Sequence, residues 1–163
     1  MTTIAFDGRV LASDSCWSDN DRQIITRSKL IRFPTGALYG GAGSSDDRDL
    51  LELLRRVKKS DQLPSLVQLG AIRQTLRALF VLPNGKAFMV DTCHVAPGEP
   101  EATECGVVEL DVPCGIGSGG DLALAAMRGG AKAYEAVKIA CGLDTNSKEP
   151  IYRLTLNPKA AFR

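Results

Sequence analysis

Between Thr2 and Leu156 the hydrophobic period switches four times: paired strands, two helices, strands again, two more helices and a last strand. Few architectures accept that order, because each sheet face and each helix stripe must find an apolar partner. The first strand pair is the most sharply defined. Thr2–Phe6 and Arg9–Asp14 are short apolar runs on either side of Asp7-Gly8, a dipeptide suited to a two-residue type I′ turn. A polar loop from Ser15 to Arg22 follows. Ile24–Phe33 and Ala37–Gly43 then form a second predicted hairpin around Pro34-Thr-Gly36. Its tail, Tyr39-Gly-Gly-Ala-Gly43, is nearly bare of side chains, so another backbone or a ligand can approach closely.

From Ser45 the period becomes helical. Leu50, Leu51, Leu54 and Val57 make the apolar stripe, with acidic residues early and Arg55, Arg56, Lys58 and Lys59 at the C-terminal end. Pro64 interrupts, and Ser65–Leu76 reads as a shorter second helix. Ala78–Leu82 and Lys86–Asp91 flank Pro83-Asn-Gly85 as a third hairpin, Val95–Glu104 is a loop, and Val107–Ile116 returns to strand character. After Gly115-Ile-Gly-Ser-Gly-Gly120 come an alanine-rich helix over Asp121–Met127, a break at Arg128-Gly-Gly130, a helix over Ala131–Cys141, and a strand at Ile151–Leu156. The predicted fold class is α+β, a four-layer αββα sandwich of two antiparallel sheets between two helical layers.

At 163 residues the chain is expected to be a single domain, 1–163, and its 20 Lys+Arg against 19 Asp+Glu lack the basic excess of a nucleic-acid binder. No apolar run approaches the roughly 20 residues of a membrane helix, and no secretory signal opens the chain, so a cytoplasmic protein without a membrane partner is expected. The five cysteines (Cys16, Cys93, Cys105, Cys114, Cys141) contain no C-x-x-C pair and read as reduced thiols, with neither a disulfide framework nor a metal site. No cofactor is indicated. His94, beside Cys93, has no partner in the sequence that would orient it as a catalytic base.

Met-Thr-Thr at a chain start is uninformative alone, but it permits one chemistry once Met1 is removed. A threonine hydroxyl can attack a carbonyl while the threonine's own α-amine, with an ordinary pKa of about 7.7–8.0, takes the proton. That chemistry needs a cation near the amine and a carboxylate to hold the cation. Asp14 is brought back beside Thr2 by the first hairpin. Lys29 lies in a mostly apolar run, where a lysine is costly unless paired; the alternative is an outward-facing strand residue.

Taken together, Thr2-Thr-Ile-Ala-Phe6, Asp14, Lys29, Gly40-Gly-Ala-Gly43 before a helix, and Gly117-Ser-Gly-Gly120 before an alanine-rich helix resemble the proteasome β-subunit family. The likeness is greatest to its bacterial branch, the HslV peptidase and small bacterial or phage homologues, and spans Thr2 to about Leu156. The family's lysine precedes its oxyanion-hole glycine by fourteen residues, as Lys29 precedes Gly43. The resemblance implies that Thr2 is nucleophile and general base, that Lys29 tunes its amine, that Asp14 anchors Lys29 and that the Gly43 N–H stabilises the oxyanion. It further implies that Ser118, Asp144 and Ser147 complete a proton-passing network, although Asp144 and Ser147 alone could be an ordinary helix-terminal turn. For an extended peptide substrate it implies Ser18 in one loop and Gly43 and Ser45 in the other. Gly41 is expected at the pocket floor, with Trp17, Arg27 and Ile31 at its walls; Arg27 hints at acidic or polar substrate side chains.

The chain departs from the family between Leu50 and Arg77, where it is shorter, and after Ser147, where Lys148 and Glu149 replace a common glycine. The shortened helical layer is compatible with a single ring or an altered ring-to-ring interface. No propeptide beyond Met1 is expected. Three functions share this pattern: a threonine-type endopeptidase acting on peptides or unfolded proteins within a homo-oligomeric ring or double ring, a silent ring-forming structural protein, and an amidase acting on small molecules. An ATP-dependent unfoldase is the partner the resemblance suggests, though no residue names one.

Overall fold

The computed structural model describes residues 2–19, 22–25, 28–43, 46–92 and 106–157. Two antiparallel sheets lie face to face. The first has the order β10-β1-β2-β11, from β1 (Thr3–Phe6), β2 (Val10–Ser13), β10 (Cys114–Gly117) and β11 (Tyr152–Thr155). The second has the order β5-β6-β7-β8-β9, from β5 (Leu30–Arg32), β6 (Leu38–Gly43), β7 (Leu76–Val81), β8 (Ala87–Thr92) and β9 (Gly106–Leu110). A small two-stranded ribbon, β3 (Cys16–Asp19) with β4 (Arg22–Ile25), stands apart from both. The helices are α1 (Arg48–Leu54), α2 (Leu66–Gly70), α3 (Gly120–Arg128) and α4 (Ala133–Leu143).

Three apolar clusters separate the four layers. Ile4, Phe6, Leu11, Leu38, Leu79 and Ile116 meet between the sheets. Leu50, Leu54 and Leu69 pack with Tyr39 and Phe80 on the outer face of the second sheet. Ala5 and Ala12 meet Ala123, Ala133, Val137 and Ala140 beneath α3 and α4. Strand alternation makes this possible: Ile4 and Phe6 face the other sheet while Ala5 faces the helices. The small residues on the helix side let α4 sit close to β1 and β2. The expected αββα sandwich is the observed one.

Four sequence expectations give way. The polar loop expected from Ser15 to Arg22 instead contributes Cys16–Asp19 to β3 and Arg22 to β4, and Ile24–Phe33 is not one strand but contributes to both β4 and β5. The second helix shrinks from Ser65–Leu76 to five residues, Leu66–Gly70, with Ser65 capping it through the Gln68 N–H, and Leu76 instead opens β7. Val107–Ile116 splits into β9 and β10, which belong to different sheets. Pro113 stands at the split, where a residue without an N–H cannot continue a ladder. Among the described residues no helix is long and apolar enough to cross a membrane.

Candidate active site

Thr2 immediately precedes β1 and is 4% exposed. The Asp7-Gly8 hairpin sets β1 against β2 with Ile4 opposite Ser13, which carries Asp14 back to the strand start. There the Asp14 N–H donates to the Thr3 carbonyl at 3.0 Å and the Thr3 N–H donates to Asp14 Oδ1 at 2.9 Å. Asp14 Oδ2 accepts from the N–H groups of Cys16 at 2.9 Å and Lys148 at 3.3 Å. A fully buried carboxylate held by three backbone donors is fixed in one orientation.

Lys29 enters just before β5. Its Nζ donates to Thr2 Oγ1 and to Asp14 Oδ1, both at 2.8 Å, and its side chain is 1% exposed. Burial lowers the Lys29 pKa from its ordinary value, and the charge of Asp14 works against that fall. The Trp17 ring lies over the same ammonium, with Nζ 5.7 Å from the ring centroid. Lys29 is therefore the buried, paired lysine rather than an outward-facing strand residue.

On the other side of Thr3 is a second polar network. The Thr3 and Ser147 hydroxyls lie 2.5 Å apart, and Ser147 Oγ donates to Asp144 Oδ2 at 2.7 Å. Ser118 Oγ donates to the same Asp144 oxygen at 2.7 Å and reaches the Thr2 carbonyl at 3.5 Å. Asp144 caps α4, and although its partial burial alone would raise its pKa, the hydroxyls of Ser147 and Ser118 and the Asn146 N–H leave it lowered. The structure thus joins Ser118, Asp144 and Ser147, and it adds Thr3, which sequence reasoning passed over. Its signal was available: Thr3 is a polar residue at a fully interior strand position. Gly119 makes room for it, since a Cβ there would fall 2.0 Å from Thr3 Oγ1.

Gly43 closes β6 at φ +112, and Gly117 closes β10 at φ +87, where a side chain would collide with the Thr2 carbonyl. Both line one cavity. Of the expected pocket residues, Trp17 and Ser18 lie in β3, and Trp17 Nε1 is buried with no hydrogen-bond partner. Ile31 stands opposite Tyr39 in the β5–β6 pairing. At Gly41 a Cβ would lie 2.6 Å from the Tyr39 hydroxyl, which occupies the space a side chain there would take. Tyr39 donates to Asp47 at 2.9 Å, and burial and then the Asp47 charge raise its pKa. Arg27, Ser45, Met1 and the Cys93–His94 pair lie outside the described residues. Burial pushes the thiols of Cys114 and Cys141 up to about 12, so neither is a thiolate near neutral pH.

No protein-family model and no curated protein matches the chain. Solved structures do. Thiobacillus denitrificans BPH superposes over 96% of this chain and 98% of its own, with a TM-score of 0.62 and 19% identity. The same protein in complex with Epoxomicin gives 96%, 99%, 0.63 and 20%. Eukaryotic HslV from Trypanosoma brucei covers 96% and 98%, at 0.62 and 19%. The chain therefore shares the αββα sandwich fold of these structures over 96% of its length.

Proposed function

We propose that the chain is the subunit of a threonine-type, proteasome-like peptidase in which Thr2, exposed as the N-terminus by removal of Met1, attacks peptide carbonyls. The observation that carries this reading is the buried Lys29 ammonium, 2.8 Å from both the Thr2 hydroxyl and the Asp14 carboxylate. In this reading the α-amine of Thr2 takes the hydroxyl proton as oxygen bonds to the carbonyl carbon, then delivers it to the leaving amine. Lys29 holds Oγ1 in place and biases the amine toward its neutral form, and Asp14 fixes Lys29. The Gly43 N–H receives the developing oxyanion, a contribution worth roughly 10²–10³ in rate. Water then hydrolyses the ester and frees Thr2.

Ser118, Asp144 and Ser147 orient the start of the chain through Thr3 and the Thr2 carbonyl, and relay protons near the amine. The acyl half of the substrate lies as an added strand between Ser18 and Gly43. Trp17 offers its unpartnered N–H there, and Ile31, Gly41 and Tyr39 bound a pocket with a polar base. Such a nucleophile has little selectivity of its own, so confinement inside a closed homo-oligomeric ring is part of the proposal. A cytoplasmic setting fits the free thiols of Cys16, Cys114 and Cys141, and an ATP-driven unfoldase would supply unfolded chains. A peptide epoxyketone should label the protein, and Thr2→Ala should abolish labelling while leaving assembly intact. Equal labelling of Thr2→Ala would place the nucleophile elsewhere.

A further inference from the structure

A peptide that acylates Thr2 has two halves, and Thr2 divides them. β1 packs over β6, β2 and β11 over β5, and β10 over β7. Ile31, expected to hold the acyl half, is on β5, and the Trp17 ring lies over Lys29 just before that strand. On the opposite, β7 side of Thr2 lies a cavity of about 290 Å³. It is lined by bare backbone at Gly43 and at Gly117, which lies against the Thr2 carbonyl, and by Thr75, Arg77, Asp91 and Thr92.

Arg77 and Asp91 are directly paired across β7 and β8. Arg77 Nε and Nη2 donate to Asp91 Oδ1 and Oδ2 at 2.8 and 3.0 Å. The carboxylate side chain is 12% exposed and the guanidinium 48%, so the donor of the pair is the one presented outward. Thr92 pins the rim, accepting from the Leu76 N–H at 2.9 Å and donating to the Gln74 carbonyl at 2.6 Å. A planar guanidinium held by a bidentate carboxylate is oriented in advance for acceptor oxygens. Asp91 offsets its charge, which favours recognition of an acceptor oxygen over recognition of net negative charge. The volume, at the small end of the roughly 300–1,000 Å³ range of ligand pockets, suits one side chain.

We infer that this cavity receives the first residue of the leaving-amine half of a peptide substrate and selects a side chain bearing an amide or carboxylate oxygen, with Arg77 as donor. The inference rests on Thr2 being the nucleophile. The test is cleavage, by the intact assembled protein, of peptides that differ only in the residue after the cut bond: Gln, Glu, Leu or Lys. The Gln and Glu peptides should be cleaved about tenfold faster in kcat/KM than the other two, the size of one hydrogen bond to a charged donor. Arg77→Met should bring all four close together. Asp91→Asn, which leaves the guanidinium charge uncompensated, should favour Glu over Gln. Ratios taken within each variant cancel any general loss. Equal rates for Gln and Leu in the parent, or parental ratios in both variants, would overturn the subsite. Epoxyketone labelling of the same preparation separates the two failures: labelled Thr2 with flat ratios removes the subsite alone, whereas unlabelled Thr2 removes the nucleophile and the subsite with it.

Discussion

Lys29 and Thr2 meet through one 2.8 Å hydrogen bond from Nζ to Oγ1, formed where a lysine side chain only 1% exposed ends against the start of β1. A buried ammonium is tolerated there because Asp14, itself fully buried, faces it at 2.8 Å. The pair is costly to hold out of water, and the hydroxyl it touches is that of the proposed nucleophile.

Lys29→Met keeps most of the aliphatic volume and removes the ammonium. Peptide turnover should fall roughly 10²–10⁴-fold, the range for a positioned proton-transfer group. Asp14 keeps its backbone donors, so the loss of stability should stay below the roughly 3–5 kcal/mol of an orphaned buried charge. Steady-state kinetics and thermal melts of the same preparation check both.

Asp14→Asn removes the charge that holds the Lys29 pKa up, so that pKa should fall further. Because the folded pKa is already below the ordinary 10.5, the unfolded chain binds this proton more tightly. Stability therefore rises as pH climbs from the folded pKa toward the unfolded one. In Asp14→Asn the rise should begin at lower pH. Melting temperatures across the alkaline range measure it, and an unchanged profile would contradict the assigned pairing.

Thr3→Val preserves shape but leaves the Ser147 hydroxyl without its 2.5 Å partner. Ser147 keeps its bond to Asp144, so a cost of about 0.5–1.5 kcal/mol is expected for the lost hydrogen bond. Turnover should drop as well, because Thr3 links the Asp144 network to the adjacent Thr2, the proposed nucleophile. Thr3→Ser should restore both; denaturant unfolding and kcat read them separately.

Asp144 has a folded pKa below its ordinary 3.8. Its contribution to stability is thus fully present above 3.8 and is lost as pH falls through the folded value. Asp144→Asn should flatten the acid end of a stability–pH curve and leave the neutral region's slope unchanged. A parallel loss at every pH would assign Asp144 a purely packing role.

The fold was largely legible because the layers follow from alternation. Ile4 and Phe6 against Ala5, and the Leu50, Leu54 and Val57 stripe, state which face is buried before any contact is known. The placing of Asp14 beside Thr2 was legible for a similar reason, a tight Asp7-Gly8 turn that fixes which residues end side by side. Lys29 was joined to them only by the family resemblance. What escaped was tertiary. The split between β9 and β10 depends on which sheet accepts each half. Leu76 continues a helical pattern locally but is claimed by β7. Only packing shows that the Tyr39 hydroxyl reaches past Gly41 to Asp47. Thr3 adjoins Thr2 in sequence, and only packing shows that the two side chains join different networks.

The most direct measurement is intact and peptide-level mass spectrometry of the assembled protein after treatment with a peptide epoxyketone. The expected result is a chain lacking Met1 and carrying one inhibitor adduct on Thr2. A chain that retains Met1 and takes no adduct, or an adduct on any other residue, would contradict Thr2 as the nucleophile.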